Sequence, residues 1–202
     1  MMDILELYER DYNPKIPVIC FDEKTVQLLA HIRTPLPMKP GMPQRYDSEY
    51  KRKGTANIFV FVEPKAGIRH LIARERRTGD DFAVCMDALV NFYPDADKIV
   101  VAQDNLNTHT IKSLIKAFDE EKATKIIEKL EFHYTPKHGS WLNMAEIEIS
   151  ILATVCLKRR IQDQDTLQKQ IDAYENRRNN KKARINWRFT RVRAKEKFKL
   201  TN

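Results

Sequence analysis

The chain has few of the features that mark membrane, secreted or zinc-stapled proteins. No apolar run among its 202 residues approaches the roughly 20 needed to cross a bilayer, so a soluble protein is expected. The N-terminus, Met1-Met2-Asp3-Ile4-Leu5-Glu6, lacks the basic-then-apolar order of a secretion signal. Only three cysteines occur, Cys20, Cys85 and Cys156, odd in number and widely scattered. That excludes a disulfide framework and a zinc knuckle, and fits a reducing cytoplasm. There is no internal repeat and no low-complexity segment. What remains is a chain of 42% apolar and 32% charged residues, long enough for one compact domain with a tail.

Charge is unevenly spread. The net is +8, yet residues 177–202 hold 11 Lys or Arg against the single acid Glu196, a net of +10. The other 176 residues therefore sum to −2. A tail of this kind suits a polyanion such as DNA, because neutralising phosphates releases counterions. Trp187, Phe189, Val192 and Phe198 set it apart from a purely solvating tail. The tail is expected to pack partly on the domain with its basic side outward.

Patterning gives the order of elements. Residues 1–15 read as a helical lead-in ended by Asn13-Pro14, and 16–22 as a buried strand that can run on through Val26-Gln27-Leu28-Leu29. Four prolines between 35 and 43 make a loop. Tyr50-Lys51-Arg52-Lys53-Gly54-Thr55 reads as a basic loop or turn, and 57–63 as a strand paired with 69–74. A helix capped by Asp80 or Asp81 runs to about Tyr93. A strand apolar throughout follows at 98–103. Thr108 or Thr110 starts a helix, and further helix covers 119–130. A short strand spans 130–134. A long helix over 141–158, apolar nearly all round, is expected to be buried. Asp163 or Asp165 caps a polar helix reaching about Asn179. The succession predicts an α/β fold with a mixed sheet and helices on both faces.

Three acids stand out. Asp22 closes the run Ile16 to Phe21, Asp104 ends the strand Val100 to Gln103, and Glu146 lies in the helix after His138-Gly139-Ser140. Sites in such sheets form beyond the carboxyl ends of strands. Carboxylates from three elements can hold hard divalent cations, which serve phosphodiester chemistry. Each acid alone has a plain structural explanation: a turn, an Asx turn, a helix surface. A nearly all-apolar helix, however, has little reason to bury Glu146 without a partner. Periodicity does not choose between Glu146 and Glu148.

The run Tyr134 to Ser150 (YTPKHGSWLNMAEIEIS) resembles the third acidic motif of DDE transposases, in the bacterial insertion-sequence branch of the mariner-type superfamily. There the third acid lies three positions after the Asn of a Leu-Asn pair, here Asn143 to Glu146. Asp104-Asn105 with Thr108-His109 (DNLNTH) is similar to the second motif, Phe21-Asp22-Glu23 to the first, and Ile185 to Thr190 (INWRFT) to the C-terminal end. The resemblance implies an RNase H-like five-stranded fold with Asp22, Asp104 and Glu146 as catalytic metal ligands for Mg or Mn, expected as two ions. It also implies cleavage of double-stranded DNA at transposon ends and 3′-hydroxyl attack on target DNA, typically at TA. A homodimer on DNA and a bacterial, nucleoid-associated location follow from it too.

The family usually begins with a helix-turn-helix region. The first core strand here starts near residue 16, so the chain is expected to be a catalytic domain by itself, served by a separate helix-turn-helix module. Its divisions are then 1–15 as lead-in, 16–160 as the RNase H-like domain, and 161–202 as a helical, basic C-terminal extension. Lys51, Arg52, Lys53, His138, Lys181, Lys182, Arg184 and Arg188 are the expected DNA contacts. His109 is expected to order the turn at Asp104, and Gly139 to supply a turn. Trp141 and Trp187 are expected in the core. His133 and His138, without a nearby Cys, are poor zinc ligands. Alternatives are a purely hydrolytic RNase H-like nuclease, or an inactive fragment that binds DNA.

Overall fold

The computed structural model describes residues 1–106 and 109–199; Thr108, one of the two expected helix starts, lies outside them. Five strands form one mixed sheet in the order β3-β2-β1-β4-β5. β1 (Val18–His31), β2 (Tyr50–Glu63) and β3 (Ile68–Arg74) pair antiparallel, while β4 (Ile99–Gln103) and β5 (Leu130–Tyr134) add in parallel beside β1. The parallel additions require crossovers. One passes through α2 (Gly79–Phe92), the other through α3 (Ile111–Ala117) and α4 (Glu120–Lys129).

Strand alternation sends side chains to two cores. Ile19, Phe21, Phe59 and Phe61 pack with Phe82, Met86 and Leu89 of α2 and with Leu114 and Ile126. Cys20, Ile58, Val60 and Val62 face the other side. They meet α1 (Met2–Glu9), α5 (Ala145–Val155), α6 (Gln164–Asn180) and Ala194 of α7 (Arg191–Phe198). One hydrophobic cluster thus runs from Ile4 to Ala194 and ties both chain ends to the sheet. No helix among the described residues is long and apolar enough to cross a membrane.

Three expectations need correction. The basic segment 50–55 is strand, not turn: β2 continues through it against Thr55↔Gln27 to Tyr50↔His31, with a register shift at Leu28/Leu29. Its side chains are all exposed, so the segment lacks the one-sided apolar alternation by which a strand is recognised. The long buried helix over 141–158 is in fact a 3₁₀ turn (Ser140–Leu142) followed by an eleven-residue α5. Its N-terminal half exposes Glu146, Ile147 and Ser150. The cap of α2 is Thr78, whose hydroxyl accepts from Asp81 N–H while the Asp81 carboxylate accepts from Thr78 N–H. Asp81 is thus the reciprocal half of a capping box and not the cap itself.

α6 covers the free edge of β3, matching its unpaired groups one by one. Asn179 Oδ1, Glu175 Oε2 and Gln168 Oε1 accept from the backbone N–H groups of Arg69, Leu71 and Ala73 at 2.9, 2.8 and 2.9 Å. Asn179 Nδ2 and Gln164 Nε2 donate to the carbonyls of Arg69 and Ala73. An edge that could template aggregation is thereby closed.

Candidate active site

β1 and β4 pair in parallel as far as Cys20↔Ala102. Two residues further on, β4 has ended, and Asp104 stands level with Asp22, which lies inside β1 opposite Val60. Asp22 is therefore a mid-strand residue beside a gap in the sheet, not a strand end as its position after an apolar run suggests. α5 is fastened at the same level. Asn143, fully buried, donates from Nδ2 to the Phe21 carbonyl at 2.7 Å and to Asp22 Oδ2 at 3.4 Å. Its Oδ1 accepts from Ala145 N–H at 3.1 Å. Tyr8 adds a bond to the Leu142 carbonyl. The Leu-Asn pair thus docks the start of α5 on β1 and sets Glu146, in its first turn, facing solvent above Asp22.

Asp22 accepts Glu23 N–H at 2.7 Å. Burial pushes its carboxyl up to about 7 against that bond, and the charges of Glu146 and Asp104 add to the rise. The three acids are thus electrostatic neighbours. Among the described residues, no group of three His, Cys, Asp or Glu closes tightly enough to hold an ion in the present side-chain positions.

Asp104 is already engaged. His109 donates from Nδ1 to Asp104 Oδ1 at 2.7 Å and from Nε2 to Glu23 Oε1 at 3.0 Å. Burial lowers the affinity of the ring for its proton, but the bonds and charges of the two carboxylates outweigh this and lift it to about 9. An imidazolium donating from both nitrogens has no lone pair for a proton, so His109 is an orienter and not a base. Its ring stacks on Phe82 at 5.0 Å. Glu23 was not singled out in the sequence beyond its place in the first motif. The signal was its adjacency to Asp22: alternation turns Glu23 to the opposite, apolar face, where a carboxylate needs a partner.

The partnered, buried acid of α5 is Glu148, contrary to the argument that singled out Glu146 by burial. Glu148 is fully buried and receives Arg69 at 3.0 Å, Arg178 at 3.0 and 2.8 Å, and the Tyr174 hydroxyl at 2.5 Å. Against the cost of burial, these donors and the charges of Arg69 and Arg178 hold its carboxyl below the usual range. Glu146 is exposed.

The expected DNA contacts fall into separate groups. Lys51, Arg52 and Lys53 are exposed at the far end of β2, seven to nine residues from Val60, roughly 23–30 Å along the strand. Lys181, Lys182, Arg184 and Arg188 are exposed between α6 and α7, where Ile185 N–H meets the Pro64 carbonyl at the other end of β2. His138 is exposed at φ 61°, so the left-handed position falls on it. Gly139 sits at φ −109° and is needed for space, since a Cβ there would lie 2.6 Å from the Pro136 ring. Trp187 packs edge-on to Tyr8 as expected, but Trp141 is half exposed.

The profile of the DDE superfamily endonucleases matches residues 17–168. The chain belongs to that family. No curated protein sequence matches it. Among solved structures the chain is similar to the Mos1 mariner paired-end complex with Mn, at 15% identity and TM-score 0.57 over 89% of this chain and 54% of that one. The Mos1 transposase paired-end complex with left transposon end matches at 13% identity and TM-score 0.55, over 86% of this chain and 52% of that one. This DDE endonuclease chain therefore spans about half the length of those transposase chains, and shares with them the RNase H-like fold.

Proposed function

We propose that this chain is the catalytic part of a cut-and-paste DNA transposase, with Asp22, Asp104 and Glu146 as its metal-holding carboxylates. The observation that carries the reading is Asp22. It is a half-buried carboxyl pushed up to about 7, with Glu146 and Asp104 as its charged neighbours, so that the three acids offer oxygen donors. Such a set suits Mg or Mn and not a thiophilic ion. Two divalent ions held there would supply an activated water or DNA 3′ hydroxyl and stabilise the leaving oxygen. The residues themselves do the positioning. Asn143 fixes α5 on β1, and His109 with Glu23 orients Asp104.

In cleavage, a water oxygen would bond to phosphorus as the bond from phosphorus to the DNA 3′ oxygen breaks; the water gives a proton to solvent and the leaving 3′ oxygen takes one up, leaving a 3′ hydroxyl and a 5′ phosphate. In joining, that 3′ hydroxyl oxygen would bond to a target phosphorus as the target's own bond from phosphorus to its 3′ oxygen breaks, the hydroxyl proton being lost to solvent and the leaving oxygen protonated from it. The DNA-bound state of the Mos1 structures, their transposon end and their manganese support this reading by likeness of fold. Transposon ends as substrate, a TA target, a homodimer on DNA and a separate helix-turn-helix module belong to the same proposal.

The test uses two labelled duplexes, one intact across an element end and one pre-cut there, each incubated with Mg or Mn and either wild type or Glu146→Gln. Metal-dependent cleavage and joining, lost at least 100-fold in Glu146→Gln, is the expected result. Cleavage without joining would reduce the reading to a hydrolytic nuclease. Cleavage unaffected by the substitution would remove Glu146 from the site.

A further inference from the structure

A wide cleft lies beside the candidate site and has no part in the reading so far. It encloses about 1040 Å3 between the outer half of β1 and the C-terminal end of α5, with the chain that follows α5 as its floor. Lys24, Gln27 and His31 line one wall, Thr154, Lys158 and Arg159 the other, and Tyr46 and Tyr50 its far end. No carboxylate lines it. Lys24, Lys158 and Arg159 have no ion-pair partner among the described residues. Asp47, near the far end, is engaged by Arg33 at 3.3 Å.

Its direction follows from the backbone. Asp22 and Lys24 are two residues apart on β1 and so share a sheet face. On α5, Glu146, Ser150 and Thr154 form one exposed stripe at four-residue spacing that points on to Lys158. Leu29 N–H bonds the Ile161 carbonyl at 2.7 Å, which closes the cleft at the level where Arg52 pairs with Leu29. The cleft therefore leads from the acids toward Lys51 and Arg52, the basic strand end otherwise separated from them. Its walls are built: Arg160 donates to the carbonyls of Asp47, Ser48 and Glu49 at 2.6, 3.1 and 2.8 Å and lies over Tyr46 and Tyr50. Arg160 is thus spent on holding the 46–50 segment, which leaves Lys24, Lys158 and Arg159 as the free cations.

We propose that this cleft seats the phosphate backbone of the DNA strand that enters the candidate site, with Lys24, Lys158 and Arg159 as phosphate contacts. The proposal rests on the nucleic-acid reading of the site and adds where the strand lies. From Glu146 to Thr154 the helix rises about 12 Å along the cleft.

The test compares wild type, Lys158→Glu/Arg159→Glu and, as a charge control on the opposite sheet face, Lys125→Glu/Lys129→Glu. Affinity for a duplex and for a single strand is followed from low to moderate salt by fluorescence anisotropy, and metal-dependent cleavage is assayed in parallel. All variants are first checked for wild-type thermal unfolding. Loss of two phosphate contacts lowers the slope of log affinity against log salt by about 1.8 on duplex or about 1.4 on a single strand. The control keeps the wild-type slope. A drop on either substrate supports the cleft and says which form of DNA occupies it. Equal slopes in wild type and the cleft variant, or an equal drop in the control, overturn it. If wild type binds with the expected slope difference but never cleaves, the cleft stands and the endonuclease reading fails. If wild type cleaves and the cleft variant binds and cleaves unchanged, the reverse holds.

Discussion

Burial and two neighbouring carboxylates make Asp22 a residue at which the fold gives up stability. Its native carboxyl, pushed up to about 7, lies above its value in an unfolded chain, near 3.9. The native state therefore keeps a proton that the unfolded state has lost between those values, and stability falls as pH rises through that window. Asp22→Asn cannot ionise, so without metal it should exceed wild type by only about 1 kcal/mol near pH 4.5 and by about 2–4 kcal/mol at pH 8. Added Mg or Mn should then stabilise wild type at pH 8 and leave the variant unmoved. Thermal unfolding across pH 4.5–8 reads both effects, and parallel curves for the two proteins would refute the account. Asp22 and Asp104 were legible because each follows an apolar run. Glu146 was not separable from Glu148 by periodicity. The residues that engage Glu148 in the core, Arg69, Tyr174 and Arg178, lie 79, 26 and 30 positions from it, beyond any local pattern.

At the scale of elements, Glu148 joins three of them. Its carboxylate on α5 meets Arg69 of β3 and Tyr174 and Arg178 of α6, while Arg69 also donates to the carbonyls of Gly67 and Ala183. Arg69 is buried with no exposed surface, so Glu148→Ala strands an uncompensated guanidinium at a cost of about 3–5 kcal/mol. Arg69→Met/Glu148→Leu removes both charges and should recover part of that loss. Urea titration of the two variants measures this, and a loss below about 1 kcal/mol in Glu148→Ala would show that the network is slack. The helices and strands themselves were readable wherever one face is apolar and a cap stands at the end. Thr110, Asp119 and Asp163 all sit at helix starts where expected. Reading failed where partners are distant or absent. The outer half of β2 is strand only because β1 pairs with it, and α5 is shorter than its hydrophobicity suggests because Asn143 bonds β1 instead of continuing a helix.

For the whole molecule, the basic C-terminal stretch divides into two groups of residues that its charge alone presents as one. Part of it is structural. Arg178 belongs to the buried network and Asn179 straps the β3 edge. Trp187 packs on Tyr8 and Phe189 on Trp141, and Arg191 pairs with Glu6 and Glu9 of α1. A chain cut after residue 176 should therefore lose its cooperative unfolding transition, which makes truncation a poor probe of DNA binding. Lys181, Lys182, Arg184 and Arg188 are different: all four are exposed, and none has an ion-pair partner among the described residues. Replacing these four with Gln should leave the thermal midpoint within about 2 °C, as surface changes usually do. The slope of log duplex affinity against log salt should fall by about 0.9 for each residue that touches a phosphate, up to about 3.6. An unchanged slope would mean that this surface, at the opposite end of β2 from Lys51 to Lys53, never meets DNA. Combining the four substitutions with Lys158→Glu/Arg159→Glu then separates the two surfaces. Contacts made to one duplex at distant sites lower the slope additively, whereas an effect of overall charge would appear as well when Lys125→Glu/Lys129→Glu is added in their place.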